Sequence, residues 1–247
     1  MIAKRFYVSL VIVGALTLAV PAMAQGTPDE AAEYGAAAAW AASPVYAPVL
    51  ATVPARGPQA TVFFSSFDTD NGGLVGNLDW QWGATYAWAA TGCDSTPTPP
   101  AAAYSGTGMW GTVLNGCYNN RGNNTGYATC SNTTPGDDSI LTLTVDLTNH
   151  SAATLSWHEW TDVFSNWDWV EVRVNGTSVF APCPPSFVAP TAWVQQSVSL
   201  TPFVGGVVTI EWHLLTSTVV NHAGWYIDDV LVDGTPVPVE LQTLTID

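Results

Sequence analysis

The stretch Leu141-Thr142-Leu143-Thr144-Val145-Asp146-Leu147 carries an apolar side chain at every second position. That is the period of an extended strand with one packed and one polar face, and it does not fit the 3.6-residue period of a helix. The same alternation predicts Val170, Val172 and Val174 inside, with Glu171 and Arg173 outside. It also predicts Val208, Ile210, Trp212 and Leu214 inside, with Glu211 and His213 facing solvent. Asn175-Gly176 closes the valine strand with residues suited to a primed hairpin turn. From Thr61 onward, seven or more such runs alternate with turn residues and show no fixed repeat. This predicts an all-β sandwich or barrel.

The segments before this region read differently. Lys4 and Arg5 precede an apolar run from Phe6 to Val20, and Ala22-Met23-Ala24 forms a small-x-small cleavage site, so residues 1–24 are expected to be a signal peptide. The apolar run is shorter than the roughly 18 residues of a spanning helix. Residues 25–60 are rich in alanine and proline: Thr27-Pro28-Asp29-Glu30 is a helix start, and Pro44, Pro48, Pro54 and Pro58 then favour an extended linker, partly helical or disordered. The domain is expected over 61–234, followed by a tail, 235–247, without an anchor pattern.

Charge narrows the partners. Beyond residue 24, Arg56, Arg121 and Arg173 stand against 20 carboxylates, a net of −17, and no lysine remains. Such a chain repels phosphate backbones and anionic lipid, which disfavours nucleic acid and acidic membranes. Cys93, Cys117, Cys130 and Cys183 form an even set with no CxxC, read as two disulfides whose connectivity stays open among three pairings.

An ordered series of motifs runs from Phe63 to Gly234. It begins with Phe67-Asp68 before Gly72-Gly73, then Asp79-Trp80-Gln81-Trp82-Gly83, Ala103-Tyr104-Ser105-Gly106, Trp110-Gly111-Thr112 and Tyr118-Asn119-Asn120. It continues with Ser139-Ile140-Leu141, Leu155-Ser156-Trp157, Trp160-Thr161-Asp162 and Gly224-Trp225-Tyr226-Ile227-Asp228-Asp229-Val230. The series resembles the MAM-like jelly-roll domains of secreted peptidases of the immune inhibitor A type and the cleaved-adhesin domains of gingipain-like proteins. The resemblance implies a two-sheet antiparallel β-sandwich of jelly-roll type, bound calcium, and a role in attachment or in assisting a neighbouring enzyme. Such families carry Glu after the first Phe, where this chain has the shorter Asp68. Thr96–Pro100 and Ala181–Pro190 are additions to the pattern.

Asp68, Asp70 and Asn71 lie within four residues, a spacing that supplies several oxygens to a hard cation such as calcium. The same residues before Gly-Gly also suit turns bonded to their own backbone. The resemblance adds Asp228 and Asp229 as the other half of the metal site. Alternation in a regular strand would let only one of this pair coordinate, and Asp229 is favoured. Asp162 and Asp168 bracket an aromatic loop with Trp160 and Trp167, read either as a second cation or sugar-stacking site or as core packing. Trp157 and Trp212 are expected in the core.

Catalytic patterns are weak. His158-Glu159 begins a zinc-peptidase motif, but Asp162 stands where the second histidine would be, and a strand lacks the required i, i+4 geometry. His158 and His213 are instead expected on the outer face of a sheet. Glu159, Asp168, Glu171 and Glu211 are raw material for a glycosidase pair without a distinguishing spacing. The expectation is a secreted, non-catalytic, calcium-stabilised binding module of adhesive type, taking a glycan or an extracellular protein at a cell or matrix surface. The alternative is an accessory domain of a secreted peptidase system.

Overall fold

The computed structural model describes residues 59–83, 88–89, 92–124, 138–182 and 189–238. The expected signal peptide, most of the linker, Cys130, Cys183 and most of the tail lie outside these residues. Eleven strands follow in order: β1 (Ala60–Ser65), β2 (Val75–Gly76), β3 (Trp80–Gly83), β4 (Met109–Thr112), β5 (Ser139–Asp146), β6 (His150–Asp162), β7 (Trp169–Val174), β8 (Thr177–Phe180), β9 (Val194–Ser199), β10 (Val207–Leu215) and β11 (Gly224–Pro236). Among the described residues the only helical element is a 3-10 turn, Thr201–Phe203. No helix among them is long and apolar enough to cross a membrane.

The strands form two antiparallel sheets. One has the order β3-β4-β11-β6-β9, with β1 also pairing to β11. The other has the order β2-β5-β10-β7-β8. The long β11 divides one of its edges: Tyr226 and Ile227 pair with β4, and Val230 to Gly234 pair with β1. A tight turn joins β7 to β8, with positive φ at both Asn175 (49°) and Gly176 (77°), as a primed hairpin requires.

Alternation sets the core. Leu141, Leu143 and Val145 of β5, the three valines of β7, and Val208, Ile210, Trp212 and Leu214 of β10 are all buried. They meet Leu155, Trp157, Trp225, Ile227, Val230 and Val232 from the opposite sheet. Trp157 and Trp212 touch edge to face across the sandwich, with ring centroids 6.1 Å apart. A smaller cluster, Met109, Trp160, Ala223 and Tyr226, lies apart from this core and packs with Trp193, Ala103 and Leu114.

One expectation needs correction. Glu171 and His213 do not face solvent; both are buried. The reason is polar pairing on this face. His213 Nδ1 lies 3.0 Å from Asp138, and Glu171 pairs with Arg173 at 2.6 Å. Buried ionic groups persist only when satisfied in this way.

Candidate functional site

The segment Thr98–Gly108 is tied at several points to the rim of the β11/β6 sheet. At its start, Thr98 donates its N–H to Asp162 Oδ2 (2.6 Å) and accepts the Trp160 indole N–H at its carbonyl (2.7 Å). Its middle is held by Trp193, whose indole donates to the Ala102 carbonyl (3.2 Å). At its end, Asp228 Oδ2 accepts the Ser105 N–H (3.1 Å), Asp229 Oδ1 accepts the Ser105 hydroxyl (2.7 Å), and Asp68 Oδ1 accepts the N–H groups of Thr107 (2.6 Å) and Gly108 (3.0 Å).

These carboxylates differ in environment. Asp68 is held below its ordinary range by the Thr107 and Gly108 N–H groups, helped by the Ser66 hydroxyl. Asp228 is fully buried, and burial pushes its carboxyl up to about 7, against N–H bonds from Ser105 and Asp229 and with the Asp229 charge adding to the rise. The two neighbours do not point to opposite faces as a regular strand would have them. Asp229 has φ 47°, and the β11/β6 register shifts between Asp228 and Leu231, so this bulge brings both side chains to Ser105.

The remaining residues of the expected metal set are engaged locally. Asp70 Oδ1 accepts the Gly72 N–H and Asn71 Oδ1 accepts the Gly73 N–H, the self-bonded turn weighed above. Among the described residues no three His, Cys, Asp or Glu side chains gather as a metal-holding group. What is present is a pair on β11, Asp228 and Asp229, bonded to Ser105 of a loop whose other end Asp68 holds. Oxygen donors alone, with a buried carboxyl that has no cationic partner among its neighbours, fit a hard cation in donor chemistry.

Asp162 and Asp168 hold different hydrogen-bond partners in adjoining networks, and the Asp162 charge reaches Tyr118. Asp162 faces Thr98, His222 Nδ1 (3.1 Å) and the Ala223 N–H (3.2 Å). Asp168 is buried against the Tyr118 hydroxyl, which donates to it, and accepts the Ser217 N–H (2.6 Å). Burial pushes the Tyr118 phenol well up, and the Asp168 charge adds to this, so Tyr118 acts as a donor. Trp167 neighbours this network, its carbonyl accepting from Asn124.

Trp160 instead forms the base of an open groove of about 490 Å³, with Ala101, Ala103, Tyr104, Ala192 and Trp193 around it. None of its described lining residues is charged. Tyr104, 46% exposed, stacks face to face on His158 (centroids 3.6 Å, planes 10° apart) and meets Trp193 edge-on at 6.3 Å. Trp193 in turn meets Trp160 at 6.2 Å. Burial holds His158 below its ordinary value, opposed by the Asp229 carboxylate. Tyr104 and Trp193 were not among the residues expected to touch a ligand. They lie 89 positions apart, and only the loop over the sheet brings them together.

A disulfide joins Cys93 to Cys117, settling one pair of the four cysteines.

No protein-family model and no curated protein matches the chain. Similar solved structures include the CBM22-1 xylan-binding domain of Xyn10C from Paenibacillus barcinonensis, 14% identical over 74% of this chain and 99% of that one, with a TM-score of 0.41. A cyclase from Fischerella sp. is 14% identical over 74% of this chain and 100% of its own, also at 0.41. The cleaved adhesin domain of Lys-gingipain from Porphyromonas gingivalis is 15% identical over 71% and 98%, at 0.35. At these levels the likenesses assign neither a ligand nor an activity to this chain.

Proposed function

We propose that this protein is an exported, non-catalytic binding module that takes a neutral glycan in the groove between Tyr104 and Trp193. The observation that carries this reading is the groove itself. Its aromatic walls are held before any ligand arrives, because the Trp193 and Trp160 indoles are each tied to a loop carbonyl. A sugar ring has an apolar face of C–H groups, and stacking that face on a fixed aromatic buries area with little loss of side-chain freedom. The absence of charge among the described lining residues favours an uncharged ligand. Export rests on the pattern of residues 1–24.

Calcium is proposed as a structural ion of the same loop. Asp228 and Asp229, with Asp68 at the far end, are the residues that would hold it, while Asp70 and Asn71 shape the turn before Gly72-Gly73. When bound, the ion would neutralise the carboxylates and raise stability by mass action. The residues themselves already tie the loop to β11 and to the segment after β1, which keeps Tyr104 in its stack.

A glycan array probed with residues 25–247, in calcium and in chelator, tests this reading. The expected result is binding to a set of related neutral glycans that Trp193→Ala removes. No binding to any glycan, or binding unchanged in Trp193→Ala, would overturn it. Thermal unfolding of the same samples tests the ion: calcium is expected to raise the midpoint, and Asp228→Asn is expected to abolish the gain.

A further inference from the structure

His158 and its neighbour Glu159 serve opposite faces of β6. While His158 stacks under Tyr104, Glu159 is buried on the core side, beside Trp157 and Trp225. Its Oε2 accepts both indole N–H groups, from Trp157 (3.0 Å) and Trp225 (2.9 Å), and its Oε1 accepts the Gln196 amide N–H (2.9 Å). All three donors are neutral. Among the described residues no cation neighbours this carboxylate, and burial pushes its carboxyl up despite the three bonds. The two cationic side chains of the described residues are engaged elsewhere, Arg121 with Asp79 and Arg173 with Glu171.

Glu159 lines a cleft of about 620 Å³ that also touches Thr161 and Gln196 from its own sheet and Phe180 from the other. Pro182, Pro190 and Val194 complete a largely apolar wall. This cleft lies on the other side of the Thr191–Val194 segment from the aromatic groove and shares with it only Thr191 and Ala192. The Thr161 hydroxyl oxygen itself is enclosed and closed to the cleft, so the polar groups that face the cleft are those of Glu159 and Gln196.

We propose that this cleft binds a primary alkylammonium group, the chemistry of a lysine side chain, with Glu159 Oε1 and the Gln196 amide carbonyl as acceptors. These two acceptors take two of the three N–H donors of an ammonium ion, and the open side of the cleft leaves the third to water. A guanidinium is a poorer match, because its fork needs both carboxylate oxygens and Oε2 already accepts two indoles. The apolar wall suits the methylene stem that carries the charge. The site stands independently of glycan binding in the groove.

The test is an NMR titration of residues 25–247 with n-butylammonium chloride, read at the indole N–H signals of Trp157 and Trp225, which bond directly to Glu159. Saturable shifts are expected, with n-butanol and n-butylguanidinium weaker by about tenfold or more, as expected for a charge held by one specific acceptor set. Glu159→Gln should weaken n-butylammonium by a similar factor. Val194→Lys provides the variant that leaves Glu159 intact. Val194 is the cross-strand partner of Glu159 and half-exposed on the cleft wall, so a lysine there tethers an ammonium beside it and should abolish binding of the probe. Absence of saturable shifts, equal binding of n-butanol, or full binding in Val194→Lys would each overturn the proposal.

Discussion

Asp68 and Asp228 grip opposite ends of one short stretch: Asp228 accepts the Ser105 N–H, and Asp68 accepts those of Thr107 and Gly108. Between them sits Gly106, at φ 53°, where an added Cβ would fall 2.0 Å from Asp68 Oδ1. Substituting Gly106→Ala therefore combines a strained backbone with a direct clash. The expected outcome is a folded protein destabilised by roughly 1–3 kcal/mol in urea unfolding, with Tyr104 released from its stack on His158. Tyrosine and histidine ring shifts in NMR spectra would report that release. Unchanged ring shifts would show that the grip does not position Tyr104.

The Asp228 carboxyl, raised to about 7, sets a pH dependence with a defined sign. The folded state keeps this proton up to about pH 7, whereas an unfolded aspartate releases it near 4. The folded state binds more protons in that interval, so stability should fall as pH rises from about 4 to 7 and level off above. Glu159, also pushed up by burial, acts in the same direction. Asp68 acts oppositely and only at lower pH, because its folded value is depressed. Urea midpoints of calcium-free protein between pH 4 and 8 should show the decline, and Asp228→Asn should reduce its slope by roughly half.

Tyr118 and Asp168 form a buried pair in which the phenol donates to the carboxylate and accepts the Phe164 N–H. Tyr118→Phe removes one donor from a buried carboxylate and leaves the Phe164 N–H without its acceptor. A loss of about 2–3 kcal/mol is expected in chemical unfolding, with no change in ligand binding. A loss of binding with stability intact would instead assign Asp168 to a ligand site.

The Cys93–Cys117 bridge closes a loop across a sequence separation of 24. Replacing both cysteines with serine should lower stability by about 3 kcal/mol through the freed chain entropy of the unfolded state. Differential scanning calorimetry of the variant beside the oxidised parent checks this.

Much of the fold was legible in the sequence because strand alternation is local. The inward sets on β5, β7 and β10, the Asn175-Gly176 turn and the burial of Trp157 and Trp212 all follow from period two and residue type. The burial of Glu171 and His213 did not follow, since it depends on Arg173 and Asp138, and Asp138 lies 75 positions from His213. Asp228 and Asp229 both reach Ser105 through a bulge that no periodicity announces, because Asp229 takes positive φ without being glycine. The aromatic groove was hidden for a similar reason. Trp160 was singled out, but its partners Tyr104 and Trp193 come from a loop and from the residue before β9, joined only by the loop's path over the sheet.

Native affinity electrophoresis through gels containing xylan, mixed-linkage β-glucan, galactomannan or α-glucan tests glycan binding in the groove most directly. The mature protein should be retarded by at least one polysaccharide, Tyr104→Ala and Trp193→Ala should each run with most of that retardation lost, and Trp167→Ala should run as the parent does. Free migration of the parent in every gel, or retardation that survives both groove substitutions, would contradict the account.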